Sequence, residues 1–285
     1  MSLAGIQPEL LLLMFAAGLA ISCVSTFLGV GGGIMMVPLL IFLFPRFGVS
    51  PACAVHLAIG TSLLVIFIRS IPAAVSYRRR DLIVRRAVLP LALTSILGTF
   101  LGAQLAAHLP GEALRRIFAL LLFVAAARMA FSPPIRSSET PPRMAWPALL
   151  AVGVSAGFFS ALLGIGGGLV SVPLMGYILK FPTEKLAGTS TSIMIITSLA
   201  GMLQHVYHGY GVAELPVCAV GYVHWAAAIP LALGGMISAP LGAYLNHRLD
   251  VSVFKKTFAV VLISVGLDML FGLKNIWNAL LGFLQ

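Results

Sequence analysis

The residues able to do chemistry sit in two copies of one phrase. "FLGVGGGIMMVPLL" (Phe27–Leu40) and "LLGIGGGLVSVPLM" (Leu162–Met175) lie 135 residues apart, and each places four glycines in five positions inside apolar sequence. A glycine within a helix costs about 1 kcal/mol relative to alanine, so each run predicts a break. A break leaves unpaired N–H groups at the start of the next helix, and helix N-termini attract anions. Gly31, Gly32 and Gly33, with Gly166, Gly167 and Gly168, are therefore candidate donors to a bound anion. Close packing of helices through small residues is the competing explanation. A nucleotide loop is excluded, because neither copy has the P-loop lysine or a strand–helix setting.

Two "GTS" blocks add hydroxyls. Thr61 and Ser62 follow Gly60, and Thr189 and Ser190 follow Gly188. Such hydroxyls either donate to a bound anion or bond the carbonyl one turn back. Arg69 lies in the same apolar segment as Thr61, about 12 Å short of an arginine-rich loop at 1.5 Å per residue. An arginine at that depth marks a functional site, unless its side chain reaches the interface. In the GTS register its counterpart is Thr197, so a site there is asymmetric. His205 and His208 end their segment beside Gln204 and read as a wet helix end, and His56 reads as facing an outer vestibule. Asp268 is a candidate for a coupling proton, against a solvated helix end. No His, Cys, Asp and Glu have metal-ligand spacing, no Ser–His–Asp grouping supports an intramembrane enzyme, and no cofactor is expected. Cys23, Cys53 and Cys218 read as small buried hydrophobes.

These residues must be positioned by membrane helices. Sixty per cent of the 285 residues are hydrophobic and 9% are charged, against about 25% charged in soluble domains. The net charge of +10 lies in short gaps between apolar runs, as topology signals do, and does not indicate a nucleic-acid partner. Apolar segments are expected at 8–29, 33–45, 51–77, 87–108, 112–131, 145–163, 167–180, 185–207, 219–246 and 251–273. The Pro- and Ser-rich stretch Ser132–Arg143 reads as a linker. This yields an N-terminal repeat over 1–131, a cytoplasmic linker over 132–144 and a C-terminal repeat over 145–285.

Further blocks match in the same order: "IGTSL" (59–63) with "AGTST" (187–191), "LGAQLAAHLP" (101–110) with "LGAYLNHRLD" (241–250), and "LRRIFALLL" (114–122) with "FKKTFAVVL" (254–262). Five segments per half is an odd number, so the second half enters the membrane from the opposite side. With the loop "RRRDLIVRR" (78–86) inside, 13 of the 18 Lys and Arg are cytoplasmic; Arg46, Arg115, Arg116 and Lys274 fall outside, and Arg69 lies within its segment. The pattern obeys the positive-inside rule. The fold expected is an all-α polytopic membrane protein of two inverted-topology repeats, with broken or short helices at the glycine motifs.

On the doubled glycine phrase, the GTS blocks and the "LGA" segments, the chain resembles the sulfite exporter TauE/SafE family of permeases over most of its length. The resemblance implies a multi-pass protein of a bacterial inner membrane that handles sulfur-containing or organic anions such as sulfite and sulfonates. It marks Gly29, Gly31, Gly32, Gly33 and Pro38, then Gly164, Gly166, Gly167, Gly168 and Pro173, with the GTS residues, as motif positions. The expectation is a secondary transporter, leaning to export, that works by alternating access. The glycine N–H groups, Thr61, Ser62, Thr189, Ser190 and Arg69 would line its site. The partners expected are a small anion, the lipid bilayer and a coupling proton or ion. A passive anion channel on the same fold and a lipid-binding or assembly protein are the rival readings.

Overall fold

The computed structural model describes residues 8–131, 144–212, 214–248 and 251–271, and these are helical almost throughout. The helices are α1 (Pro8–Leu28), α2 (Gly33–Leu43), α3 (Pro51–Arg79), α4 (Arg85–His108), α5 (Gly111–Phe131), α6 (Trp146–Leu163), α7 (Gly168–Tyr177), α8 (Thr183–Gly209), α9 (Trp225–Arg248) and α10 (Val251–Phe271). Each lies where hydropathy places a segment. The linker expected at 132–144 falls, save Met144, outside the described residues.

Two elements escape the hydropathy reading. A 3-10 turn, Phe44–Phe47, extends α2. A small hairpin, β1 (Ala219–Val220) with β2 (Val223–His224), occupies the start of the segment expected at 219–246. The hairpin turns at Gly221, whose φ is +54°. Its backbone is held from outside the hairpin: the Tyr222 N–H donates to the His205 carbonyl at 3.1 Å. Apolar composition conceals this turn, so the helix starts six residues later than the hydrophobic run does.

Six of the described helices, α1, α3, α4, α6, α8 and most of α9, are long and apolar enough to cross a membrane. Their outward faces are apolar: Leu89, Leu93, Leu97 and Leu101 are exposed at one-turn spacing along α4. In water such a stripe would drive aggregation; in hydrocarbon it meets a matching solvent. The chain is a multi-pass, all-α membrane protein. At 11 and 10 residues, α2 and α7 each reach about 15 Å, half the thickness of a hydrocarbon core.

The two halves interleave. The most extensive contacts are α1 against α9 and α4 against α6, so the first helix of each half packs on the fourth of the other. The α3–α8 pair runs through the middle, and α5 packs on α10. Close backbone approach makes these crossings possible. A Cβ on Gly18 would strike the Leu231 carbonyl, and one on the matching Gly153 would strike the Thr94 side chain and crowd the Leu91 carbonyl. Likewise Gly60 abuts the Tyr222 carbonyl, and the matching Gly188 abuts the Leu82 carbonyl.

Candidate functional site

The glycine runs do break their helices. Gly29 and Gly31 adopt φ of +68° and +87°; Gly164, Gly166 and Gly167 adopt +70°, +76° and +81°. This left-handed backbone is what a side-chain-bearing residue resists. Past Val30, the N–H groups of Gly31 to Ile34 make no backbone hydrogen bond, and neither do those of Ile165 to Leu169. The breaks then cross in backbone contact: a Cβ on Gly33 would land on the Gly164 carbonyl, and one on Gly168 would meet the Val30 carbonyl. Every residue of both breaks is buried. Close packing therefore accounts for most of these glycines, and the crossing is sealed in this conformation.

Gly32 is different. Its φ is −75°, where the matching Gly167 has +81°. A Cβ on Gly32 would lie 3.1 Å from Nε and Nη2 of Arg69 and 3.2 Å from Cζ. The guanidinium thus lies flat against the first break, beside the N-terminus of α2. Arg69 is 2% exposed, so it does not reach the interface. Its Nη1 donates to Thr26 Oγ1 at 3.0 Å. Thr26 is held in turn, its carbonyl accepting the Tyr77 hydroxyl at 2.8 Å. Arg69 Nε has no partner, and no carboxylate pairs with Arg69 among the described residues.

The GTS hydroxyls are all bonded to protein groups. Thr61 Oγ1 donates to the Leu57 carbonyl at 2.5 Å and accepts the His224 N–H at 3.0 Å. Thr189 Oγ1 donates to the Lys185 carbonyl at 2.6 Å and accepts the Val84 N–H at 2.9 Å. Each threonine so ties down the entry to a helix of the opposite half, α9 and α4 respectively. Ser62 Oγ is bonded to the Ile59 and Gly164 carbonyls at 2.7 and 2.8 Å, locking the second break onto α3. Ser190 Oγ pairs with Ser171 Oγ of α7 at 2.8 Å. Of the sequence-derived candidates, the structure gathers Arg69, Gly32, Gly31, Gly33 and the second glycine run at one crossing. Thr61 and Thr189 bond instead to the loops that enter α9 and α4.

The histidines differ from expectation. His205 is buried, with Nε2 2.8 Å from the Ala161 carbonyl, because the hairpin folds over the end of α8. His56 is buried with Nε2 3.1 Å from the Ala106 and Leu109 carbonyls, and its ring stacks on Tyr222. Asp268 lies beside α5, where its carbonyl accepts Arg115 Nη2 at 3.3 Å. An apolar cavity of about 270 Å³ between α1, α9 and α10, lined by Cys23, Phe27, Phe254 and Phe258 among others, touches none of the candidate residues.

Sequence reasoning also missed buried hydroxyls. Ser22 Oγ, Ser70 Oγ and Ser238 Oγ are buried without partners, and Ser22 Oγ and Arg69 Cβ both lie against Gly235. A signal for Ser22 was present: it lies one turn before Thr26 on the same face of α1.

Comparison with known proteins agrees with this architecture. The family model described as Sulfite exporter TauE/SafE matches residues 14–269. A probable membrane transporter protein of Haemophilus influenzae is 29% identical over 266 residues, covering 91% of this chain and 97% of that one. Another from Methanocaldococcus jannaschii is 28% identical over 262 residues, covering 92% and 96%. YunE of Bacillus subtilis, also described as a probable membrane transporter protein, is 25% identical over 276 residues, covering 91% and 97%. A match that runs through both glycine phrases and all ten described helices carries the conclusion: this chain belongs to the sulfite exporter TauE/SafE family of membrane transporters.

Proposed function

We propose that this chain is a secondary transporter of small sulfur-containing or organic anions such as sulfite and sulfonates, and that it exports them across a bacterial inner membrane by alternating access. One observation carries the reading. Two positive poles, the Arg69 guanidinium and the N-terminus of α2, meet in the buried interior with no carboxylate among the described residues to balance them. An uncompensated buried ion carries a desolvation penalty of about several kcal/mol. A bound anion offsets it; a cation or a neutral solute does not.

The sealed crossing fits a carrier better than an open pore. Gly33 against the Gly164 carbonyl closes the way past Arg69, and a solute passes only when the breaks part. Interleaved helices that correspond pair by pair support two inverted repeats, 1–131 and 145–285, rocking about the α3–α8 pair. Export follows from the membrane potential, which favours outward movement of an anion by about 2.3 kcal/mol per charge per 100 mV. Import would require a coupled proton or ion.

Proteoliposomes test this directly. Vesicles with the purified protein should release labelled sulfite faster than protein-free vesicles, and external unlabelled sulfite should drive counterflow. Conductive release without counterflow would make the protein a channel; release equal to that of empty vesicles would end the transport reading for sulfite.

A further inference from the structure

Within the repeated blocks, the two halves differ in residue type around Arg69. In the register of the repeated blocks, Ser22 matches Gly157, Thr26 matches Ala161, Arg69 matches Thr197 and Gly235 matches Ser95. Where α4 crosses α8, Ser95 Oγ and Thr197 Oγ1 bond each other at 2.7 Å, so that position is neutral and satisfied. At the matching crossing around Arg69 the hydroxyl stands on the other helix. Ser22 belongs to α1, and Gly235 of α9 takes the place of Ser95. A Cβ on Gly235 would come 2.6 Å from Ser22 Oγ and 3.2 Å from Arg69 Cβ, so Ser22 and the root of the Arg69 side chain share this point of α9, and Ser22 lies one turn before Thr26, which holds the guanidinium. Ser22 is 0% exposed, and Ser22 Oγ and Arg69 Nε are both unpartnered. The breaks also diverge in backbone angle at Gly32, against which the Arg69 guanidinium lies, and Gly167.

We infer that the anion is held in a one-sided subsite formed by Arg69 and the Ser22 hydroxyl against Gly235, and that one anion binds per chain because Ser95 and Thr197 close the equivalent position. This rests on the anion-transport reading above. The ligand class is a small oxyanion. An oxyanion presents several acceptor atoms, which suits a guanidinium N–H from α3 and a hydroxyl from α1 that are both buried and unpartnered. Burial makes both donors costly to leave unpaired, so the bound anion satisfies groups that nothing else in the described structure satisfies.

Equilibrium dialysis of labelled sulfite and of methanesulfonate against the purified full chain in detergent tests it. The parent should hold one anion per chain. Ser22→Ala should weaken binding about tenfold to a hundredfold, as loss of a hydrogen bond to a charged group does. Ser22→Gly, which copies Gly157 of the other half, should do the same and guards against a packing defect in the alanine variant. Ser160→Ala removes a hydroxyl that is also buried and unpartnered, but in the uncharged half, and should bind as the parent does. Two anions per chain, or parental affinity in both Ser22 variants, would overturn the subsite while leaving anion transport standing. A parent that binds neither probe would overturn the transport reading and the subsite with it.

Discussion

Replacing Arg69 with methionine should separate stability from binding. The substitution keeps an unbranched apolar stem and removes the charge. On the stability side one hydrogen bond is lost, that from Nη1 to Thr26 Oγ1, and leaving a buried acceptor unpaired costs about 1–3 kcal/mol. Thr26 can soften that loss by turning its hydroxyl to the carbonyl one turn back. Against it stands removal of a buried cation with no paired carboxylate among the described residues, whose penalty is about several kcal/mol. The empty Arg69→Met protein should therefore melt no lower than the parent. On the binding side the anion loses at least one charge-assisted hydrogen bond of about 1.5–3 kcal/mol, so its dissociation constant rises about tenfold to a hundredfold. The assay is thermal unfolding in detergent across a sulfite series. The parent's melting temperature should climb with sulfite, since a ligand that binds only the folded state stabilises it; the variant's should climb only at about tenfold to hundredfold higher sulfite. A variant that melts well below the parent and responds at the parent's sulfite concentrations would show Arg69 to be a structural group, and would refute the reasoning.

Other predictions follow from the same geometry. Gly33→Ala forces the two breaks apart at the Gly164 carbonyl; overpacking of this kind costs about 1–3 kcal/mol, read as a lower melting temperature together with lost sulfite flux. Gly48→Ala meets nothing within 4 Å but must hold φ at +71°, so it should lower stability by about 1–2 kcal/mol and leave flux intact. Thr61→Val and Thr189→Val each orphan a backbone N–H, of His224 and Val84 respectively; both should destabilise by about 1–3 kcal/mol in melting experiments, and by similar amounts because the two clamps are equivalent. In a chain freed of its native cysteines, Arg79→Cys should label from the cytoplasm and Tyr210→Cys from the opposite face; labelling of both from one side would defeat the inverted arrangement.

Much of the scaffold was legible because hydropathy and helix-breaking are local. Apolar runs place α1 to α10, and four glycines in five residues break a helix whatever surrounds them. Family resemblance was legible for the same reason, since it rides on contiguous phrases. The roles of the GTS hydroxyls were not. Thr61 and Thr189 each had two physically sound partners, and the choice lay with residues far away in sequence, His224 and Val84. His205 looked like a wet helix end until the β1–β2 hairpin, hidden in apolar sequence, covered it.

The sequence by itself determined a membrane chain, its helices, its two breaks and the placing of one arginine too deep in a segment to be ordinary. Tertiary structure alone decided that α1 packs on α9 and α4 on α6, that the breaks seal against each other, and that Arg69 rests on Gly32 with Ser22 beside it. Helix formation is set by neighbours along the chain. A site is set by which helices cross, and that depends on contacts between residues from opposite halves of the chain, which no local pattern encodes.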